Sequence, residues 1–315
     1  MQKSSDSLEK GGICLMKRKP VYVEIEIDTE MDDLWKATQT PDLHAQWDLR
    51  FSSIKYLPEN DNEPQHFTYT RSLGFGQKIE GWGISTGSHE GKNGTRSSSL
   101  HFGTEQRISP IKEGRGYWKY IPKEQSITFL TQYDYDVNFG KIGQVLDRLL
   151  FRPLIGWGTA LSFDVLKRWL EKDEAPLSQY IRFFVYWITT FLFSFIWIYH
   201  GLIPKLVYSH PDEISMVNNI IPISNELAYW IVMVAGIIEI LLGFIFLFIK
   251  KKRLFFGLQI IVFPLLTIVA IMADSSLLTH PFNPLTFNIT LLVISIIGFV
   301  ISKDIPTASN CKRKR

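Results

Sequence analysis

Glu239 is the sole ionisable side chain deep in a long apolar run, with Gly236 and Gly243 at i−3 and i+4 on the same helical face. A charge at that depth costs about 2.5 kcal/mol or more. Its carboxyl must therefore be protonated, hydrogen-bonded or turned towards a polar cavity. The two glycines would let another helix come close, and Ser194, Thr267 and Ser295 stand at matching depth as partners. Two readings stay open: a quinone, lipid or proton site at mid-membrane, or a neutral carboxyl joining helices. His200, Lys205, Glu226, Asp274, His280 and Asn283 fall at the ends of the apolar runs. There they would either capture a polar headgroup or cap helices at the interface.

The more polar first half of the chain offers other candidates. Trp47, Trp82, Trp118, Tyr120, Tyr133 and Tyr135 would line a pocket for an apolar ligand, although aromatics at strand spacing more often form core. His101, Glu105 and Arg107 alternate on one predicted strand, so they share a face as an acid–base relay or as solvated surface. Asp134 and Asp136 share a face in the same way, without a third ligand for a cation. Asp147, Arg148 and Arg152 read as helix-surface pairs or as contacts to membrane phosphates. No GxGxxG, Walker, HExxH or CxxC sequence occurs, and Cys14 and Cys311 lie in opposite polar tails. That pattern gives neither a thiolate metal site nor a structural disulfide. His200 and His280 are both near one edge, so no histidine pair is placed to hold haem.

Four stretches position the membrane candidates: Phe183 to Pro204, Leu227 to Ile249, Leu254 to Ala273 and Phe282 to Ser302. Each has roughly the 20 residues needed to cross about 30 Å of hydrocarbon. Residues 180 to 315 hold 11 Lys and Arg against 6 Asp and Glu. With four crossings, all of those basic residues except Lys205 fall on one side, which marks it as cytoplasmic. The expectation is a multi-pass cell-membrane protein, bacterial in character, with both termini in the cytoplasm. Residues 1–19 read as a disordered leader without a signal peptide, and Met16 is an alternative start. Residues 173–179 form a linker, and 303–315 a basic tail for anionic lipid headgroups rather than nucleic acid.

The soluble part reads as an α+β unit. Val21 to Ile27 alternates as a half-buried strand. Helices follow over Met31 to Thr38, behind an Asp28/Thr29 cap, and over Leu43 to Trp47. Strands are predicted at Ser52–Leu57, His66–Leu73, Gln77–Ser85, Ser97–Ser109, Gly116–Ile121 and Ser126–Asn138. A helix over Lys141–Lys172 then carries one apolar stripe and bends where Pro153, Gly156 and Gly158 interrupt it. An antiparallel sheet around such a helix encloses space that suits an apolar ligand.

Two family resemblances add to this. Asp33-Leu34-Trp35, Thr40-Pro41-Asp42, Trp47-Asp48, Gly114-Arg115-Gly116-Tyr117-Trp118 and the closing helix resemble the SRPBCC, or START-like, superfamily over residues 20–172. That resemblance implies a helix-grip fold, in a superfamily ranging from lipid carriers to polyketide cyclases and chaperone activators. Trp197 to Lys205, Gly236 to Gly243 and His280 to Thr286 resemble the DoxX-like four-helix membrane proteins over residues 180–302. That family implies a loose link to quinone-dependent redox chemistry, with quinone the one cofactor it suggests. Three functions follow. The first is a non-enzymatic cytoplasmic module for a lipid, isoprenoid or quinone-like ligand drawn from membrane lipids. The second is an accessory subunit of a quinone-linked oxidoreductase, with Glu239 in the site. The third is an interaction scaffold for a membrane-protein partner or a second copy.

Overall fold

The computed structural model describes residues 19–58 and 63–314. The leader, with Cys14 and Met16, lies outside the described residues save for Lys19. The chain forms two compact units, 1–176 with 307–315 and 177–306.

The first unit is a seven-stranded antiparallel sheet in the order β1-β7-β6-β5-β4-β3-β2. Its strands are β1 (Val21–Ile27), β2 (Ser53–Tyr56), β3 (His66–Gly74), β4 (Gln77–Glu90), β5 (Arg96–Gly103), β6 (Ile111–Pro122) and β7 (Ile127–Val137). Helices α1 (Met31–Gln39) and α2 (Pro41–Trp47) follow β1; α3 (Gly140–Leu146) and α4 (Arg152–Lys172) follow β7. Period-two alternation sets the two faces: Phe129, Thr131, Tyr133 and Tyr135 point inward from β7, while Asp134 and Asp136 point out. The inner face is sealed by Trp47, Trp118, Tyr120, Phe129, Phe163 and Leu166, all buried. Phe129 and Phe163 stack at 4.5 Å, joining the sheet to α4.

Several expectations need correction. Helix α1 starts at N-cap Glu30 with no side-chain cap, so the Asp28/Thr29 signal is unused. Strand β5 ends at Gly103, because Thr104 turns back to Lys112. Glu105 and Arg107 therefore leave the face of His101, which bonds Glu113 at 2.6 Å instead. The closing helix runs on without a break but widens into a π turn over Asp147–Phe151, before Pro153, which sits in the first turn of α4. Only the second half of its apolar stripe is buried; Ile142, Val145 and Leu149 stay exposed.

The second unit is helical: α5 (Pro176–His200), running on as a π turn (Gly201–Val207), α6 (Pro211–Ile220), α7 (Asn225–Phe248), α8 (Lys252–Ala273) and α9 (Pro284–Ile301). Helices α5, α7, α8 and α9 are each long and apolar enough to cross a membrane. Their shared core holds Phe193, Phe246, Phe255, Phe256, Phe263 and Leu291, while Ile231, Leu241, Ile261 and Val293 face outward. The continuous helix α3–α4 is also long and apolar enough, but Phe163 and Leu166 lie in the sheet unit's core and Asp147 and Asp164 are buried in ion pairs there.

The tail after α9 does not stay a free basic strand. Thr307 N and Asn310 Nδ2 donate to the buried Asp164 carboxylate of α4, at 2.8 and 2.6 Å. Lys312 pairs with Glu24 through two 2.9 Å backbone bonds on the open edge of β1. Cys311 Sγ donates to Ala160 O at 3.2 Å, and burial, with Asp164 nearby, pushes its thiol pKa up to about 12. The charges of Lys312 and Arg313 thus belong to a segment folded onto the sheet unit, where it pairs the outward backbone groups of Glu24 on the edge strand.

Candidate functional site

Four glycines shape the inner face. Gly81 and Gly83 on β4, and Gly114 and Gly116 on β6, occur at i, i+2, so each pair faces the same way. A Cβ on Gly83 would strike the Phe67 ring, and one on Gly81 the Tyr69 ring and Gly103 O. A Cβ on Gly114 would come within 2.6 Å of the Phe102 ring. The three rings therefore lie down across glycine backbone. Phe67, Tyr69 and Phe102 stay half-buried, in contrast to the fully buried Trp47 and Phe129. The space under α4 is filled, whereas the floor of β3 to β5 is a paved aromatic surface.

A charged cluster borders this floor. Asp48, at the end of α2, is buried and accepts from His44 Nε2 at 3.0 Å, Arg50 Nε at 2.9 Å and Arg50 Nη2 at 2.6 Å. Burial alone would raise the Asp48 pKa, but Arg50 and His44 outweigh it and hold the carboxyl well below its usual range. Burial lowers the His44 pKa against the pull of Asp48, so the imidazole stays neutral near pH 7. His44 stacks on Trp47 at 5.0 Å and meets Trp118 edge-on at 4.9 Å. From β3, Arg71 Nη1 donates to Leu49 O, beside Arg50. His44, Arg50 and Arg71 were not expected from sequence; the signal was His44 and Asp48 one helical turn apart, ahead of Arg50.

The six predicted aromatics divide differently. Trp47, Trp118, Tyr120, Tyr133 and Tyr135 are core, and four have their polar atoms occupied. Trp47 Nε1 donates to Ala37 O, and Tyr120 Oη meets Thr38 Oγ1 at 2.7 Å. Tyr133 Oη meets Thr159 Oγ1 at 2.9 Å, and Tyr135 donates to Asp147 at 2.6 Å. Trp82 points to the outer face, edge-on to His101 at 5.0 Å. An open outer groove of about 620 Å³ lies beside it, bordered by His101, Arg115 and Asp134. Asp147 is not a surface pair: it is buried by the π turn and bonded to Tyr135 and Arg152, and Arg152 also reaches Asp134 at 2.7 Å.

In the helical unit Glu239 pairs with Lys205 at 3.1 Å, and Lys205 reaches Glu213 at 3.5 Å. The helix was expected to end at Pro204. The π turn instead carries Lys205 down beside α7, which corrects the partners expected for Glu239. Thr267 and Ser295 hydroxyls go to their own helices, and Ser194 lies instead against Gly243. A Cβ on Gly236 would stand 2.8 Å from Gly201 O, and one on Gly243 2.7 Å from Ile198. Among the polar edge residues, His200 lies within electrostatic reach of Lys205, and His280 of Asp274. His200 lies against Phe287 at 5.6 Å, while Asn283 caps α9 through Thr286 N, with His280 O on its amide. Among the described residues no His, Cys, Asp and Glu cluster is arranged to hold a metal ion.

A membrane protein built from a sheet unit and an apolar helical unit is what these features define. Residues 194–296 match the DoxX-like family. The chain is 47% identical over 188 residues to the uncharacterised membrane protein YndG of Bacillus subtilis (strain 168), covering 59% of this chain and 70% of that one. It belongs to the same family as that protein and carries a DoxX-like domain. The sheet unit has structural neighbours of START type. One is a STAR-related lipid transfer protein fragment from Xanthomonas axonopodis, with 14% identity, 47% of this chain and 84% of that one covered, and TM-score 0.36. A START superfamily protein from Mycobacterium smegmatis matches with 14% identity, 50% and 100% coverage, and TM-score 0.36.

Proposed function

We propose that the sheet unit binds an apolar molecule on the floor of β3 to β5, in a chain anchored in the membrane by its DoxX-like helices. The observation that supports it is the set of half-buried rings of Phe67, Tyr69 and Phe102, laid flat by glycines. An aromatic surface that is neither closed into core nor made polar is retained where something apolar covers it. The unit acts as a binding module, without a reaction of its own.

The proposed topology is four crossings by α5, α7, α8 and α9, with both termini cytoplasmic. Because Lys312 pairs with Glu24, the sheet unit and the C-terminus occupy one compartment. That pairing supports an even number of crossings between them. The excess of Lys and Arg at the ends and middle joint favours the cytoplasm for that side.

The test is lipid extraction from the purified full chain and from its Gly83→Val variant, with mass spectrometry of both. A valine there stands the Phe67 ring up into the proposed space. One apolar species in stoichiometric amount, lost in the variant, is expected. Identical extracts from both proteins mean that only annular lipid was carried along, and the reading fails.

A further inference from the structure

Arg50 and Arg71 converge beside Leu49 from two different elements. Arg50 follows α2, and it spends Nε and Nη2 on Asp48. Arg71 comes from the inner face of β3 and donates Nη1 to Leu49 O. Among the described residues no carboxylate pairs with Arg71, and Asp48 is already engaged by Arg50 and His44. Two guanidiniums thus stand beside one carboxylate, which of the two pairs with Arg50 alone, and this leaves a formal charge of +1 beside the aromatic floor. The setting is not that of solvated surface arginines. Both are half-buried, and Arg50 lies 5.6 and 5.4 Å from the ring centres of Phe51 and Tyr133. Phe51 in turn meets Tyr69, one of the floor rings, at 5.4 Å.

A cation held at the edge of an apolar surface, with N–H donors left over, matches one kind of molecule. Its tail covers the rings while its head brings the missing negative charge. Guanidinium suits a planar or tetrahedral oxyanion because its donors bond two oxygens at once. Asp48 fixes Arg50 in place, so little side-chain freedom is lost on binding. We infer that the ligand is a single-chain amphiphile with an oxyanion head, a carboxylate or a phosphate, bound by Arg71 together with Arg50. This rests on the apolar-ligand reading and names the chemical class of that ligand.

The experiment is a native mass spectrometric titration of the full chain in a non-ionic detergent with oleate, oleyl phosphate and oleyl alcohol, which share one tail. Wild type is expected to bind the oxyanions at least about tenfold more tightly than the alcohol, in line with charge-assisted hydrogen bonds. A preference between oleate and oleyl phosphate identifies the head as free acid or phosphoester. Arg71→Met should remove the oxyanion preference without weakening the alcohol, and Arg71→Lys should keep most of it. If Arg71→Met does not fold, the wild-type and Arg71→Lys titrations decide. Equal binding of all three by wild type, or an unchanged preference in Arg71→Met, overturns the head-group inference and leaves the apolar site standing. Binding of none of the three overturns the apolar-ligand reading itself.

Discussion

Glycine is used in opposite ways by the two units of this protein. In the sheet unit Gly83 and Gly114 make room for flat aromatic rings, since Phe67 and Phe102 occupy the volume a side chain would have filled. In the helical unit Gly201 and Gly236 take each other's backbone, and the same omission removes volume by bringing α7 against the π turn after α5. One unit uses the missing side chain to make room, the other to close it. The charged groups divide similarly. Arg50 and Asp48 leave the neighbouring Arg71 with charge to spare, whereas Lys205 stands between two carboxylates and answers the charge of Glu239.

The largest expected effect tests the helical half of this contrast. Lys205→Met leaves Glu239 without its cation and should destabilise the helical unit by about 3 kcal/mol, the scale of a broken buried pair. The double variant Lys205→Met/Glu239→Leu should recover most of the loss, measured as thermal unfolding in detergent. If the double variant is as weak as the single, the pair is not what holds these helices.

Gly201→Val and Gly83→Val set the two uses of glycine side by side. At Gly201 the new side chain meets backbone on α7, which cannot yield, and about 2–3 kcal/mol of stability should be lost. At Gly83 its nearest neighbours are the far ring atoms of Phe67, a side chain that can turn aside where backbone cannot. The second variant should unfold within about 1 kcal/mol of wild type while losing its ligand. Equal destabilisation by the two would erase the distinction.

Smaller effects concern the tail and pH. Asp164→Ala removes the acceptor of Thr307 and Asn310. In a Cys14→Ser background it should speed maleimide labelling of Cys311 roughly tenfold, the equivalent of about 1.4 kcal/mol of docking; an unchanged rate would mean the tail is held elsewhere. Acid should weaken the sheet unit in two stages. The folded His44 pKa is depressed below the ordinary histidine value of 6.5, so the unfolded chain binds the proton first and stability falls as pH drops below 6.5. The Asp48 pKa is also depressed, so its contribution is present above 3.8 and lost as pH falls below that. Denaturant midpoints from pH 8 to 4 read the first stage, at most about 1.4 kcal/mol per pH unit. In His44→Gln that stage should vanish, leaving only the fall below 3.8.

Much of the fold was legible because it depends on local periodicity. Alternation marked β1 and β7, turn residues marked the gaps between the other strands, and uninterrupted apolar runs marked α7, α8 and α9 to within two residues and α5 save for its first turns. Gly236 and Gly243 signalled the helix approach that α5 makes. The misreadings occurred where a distant partner decided. Pro153, Gly156 and Gly158 were expected to bend the closing helix, yet the π turn sits ahead of them, where Asp147 is drawn to Tyr135 and Arg152. The apolar stripe of α3 and α4 has one period throughout, but only its second half meets the sheet.

By itself the sequence determined that a polar α+β unit precedes four membrane-length helices, since hydrophobic period and run length act within a few residues. It also determined that the Glu239 carboxyl had to be protonated, hydrogen-bonded or turned towards a polar cavity, because an isolated charge in an apolar run is costly. Only the tertiary structure decided who the partners are. It chose Lys205 for Glu239 and Asp164 for the tail, and it set Arg71 against Leu49, 22 residues apart in sequence. It also decided which aromatics became core and which became floor. Those choices depend on where β-sheet register and helix packing bring distant side chains together, and no local pattern encodes them.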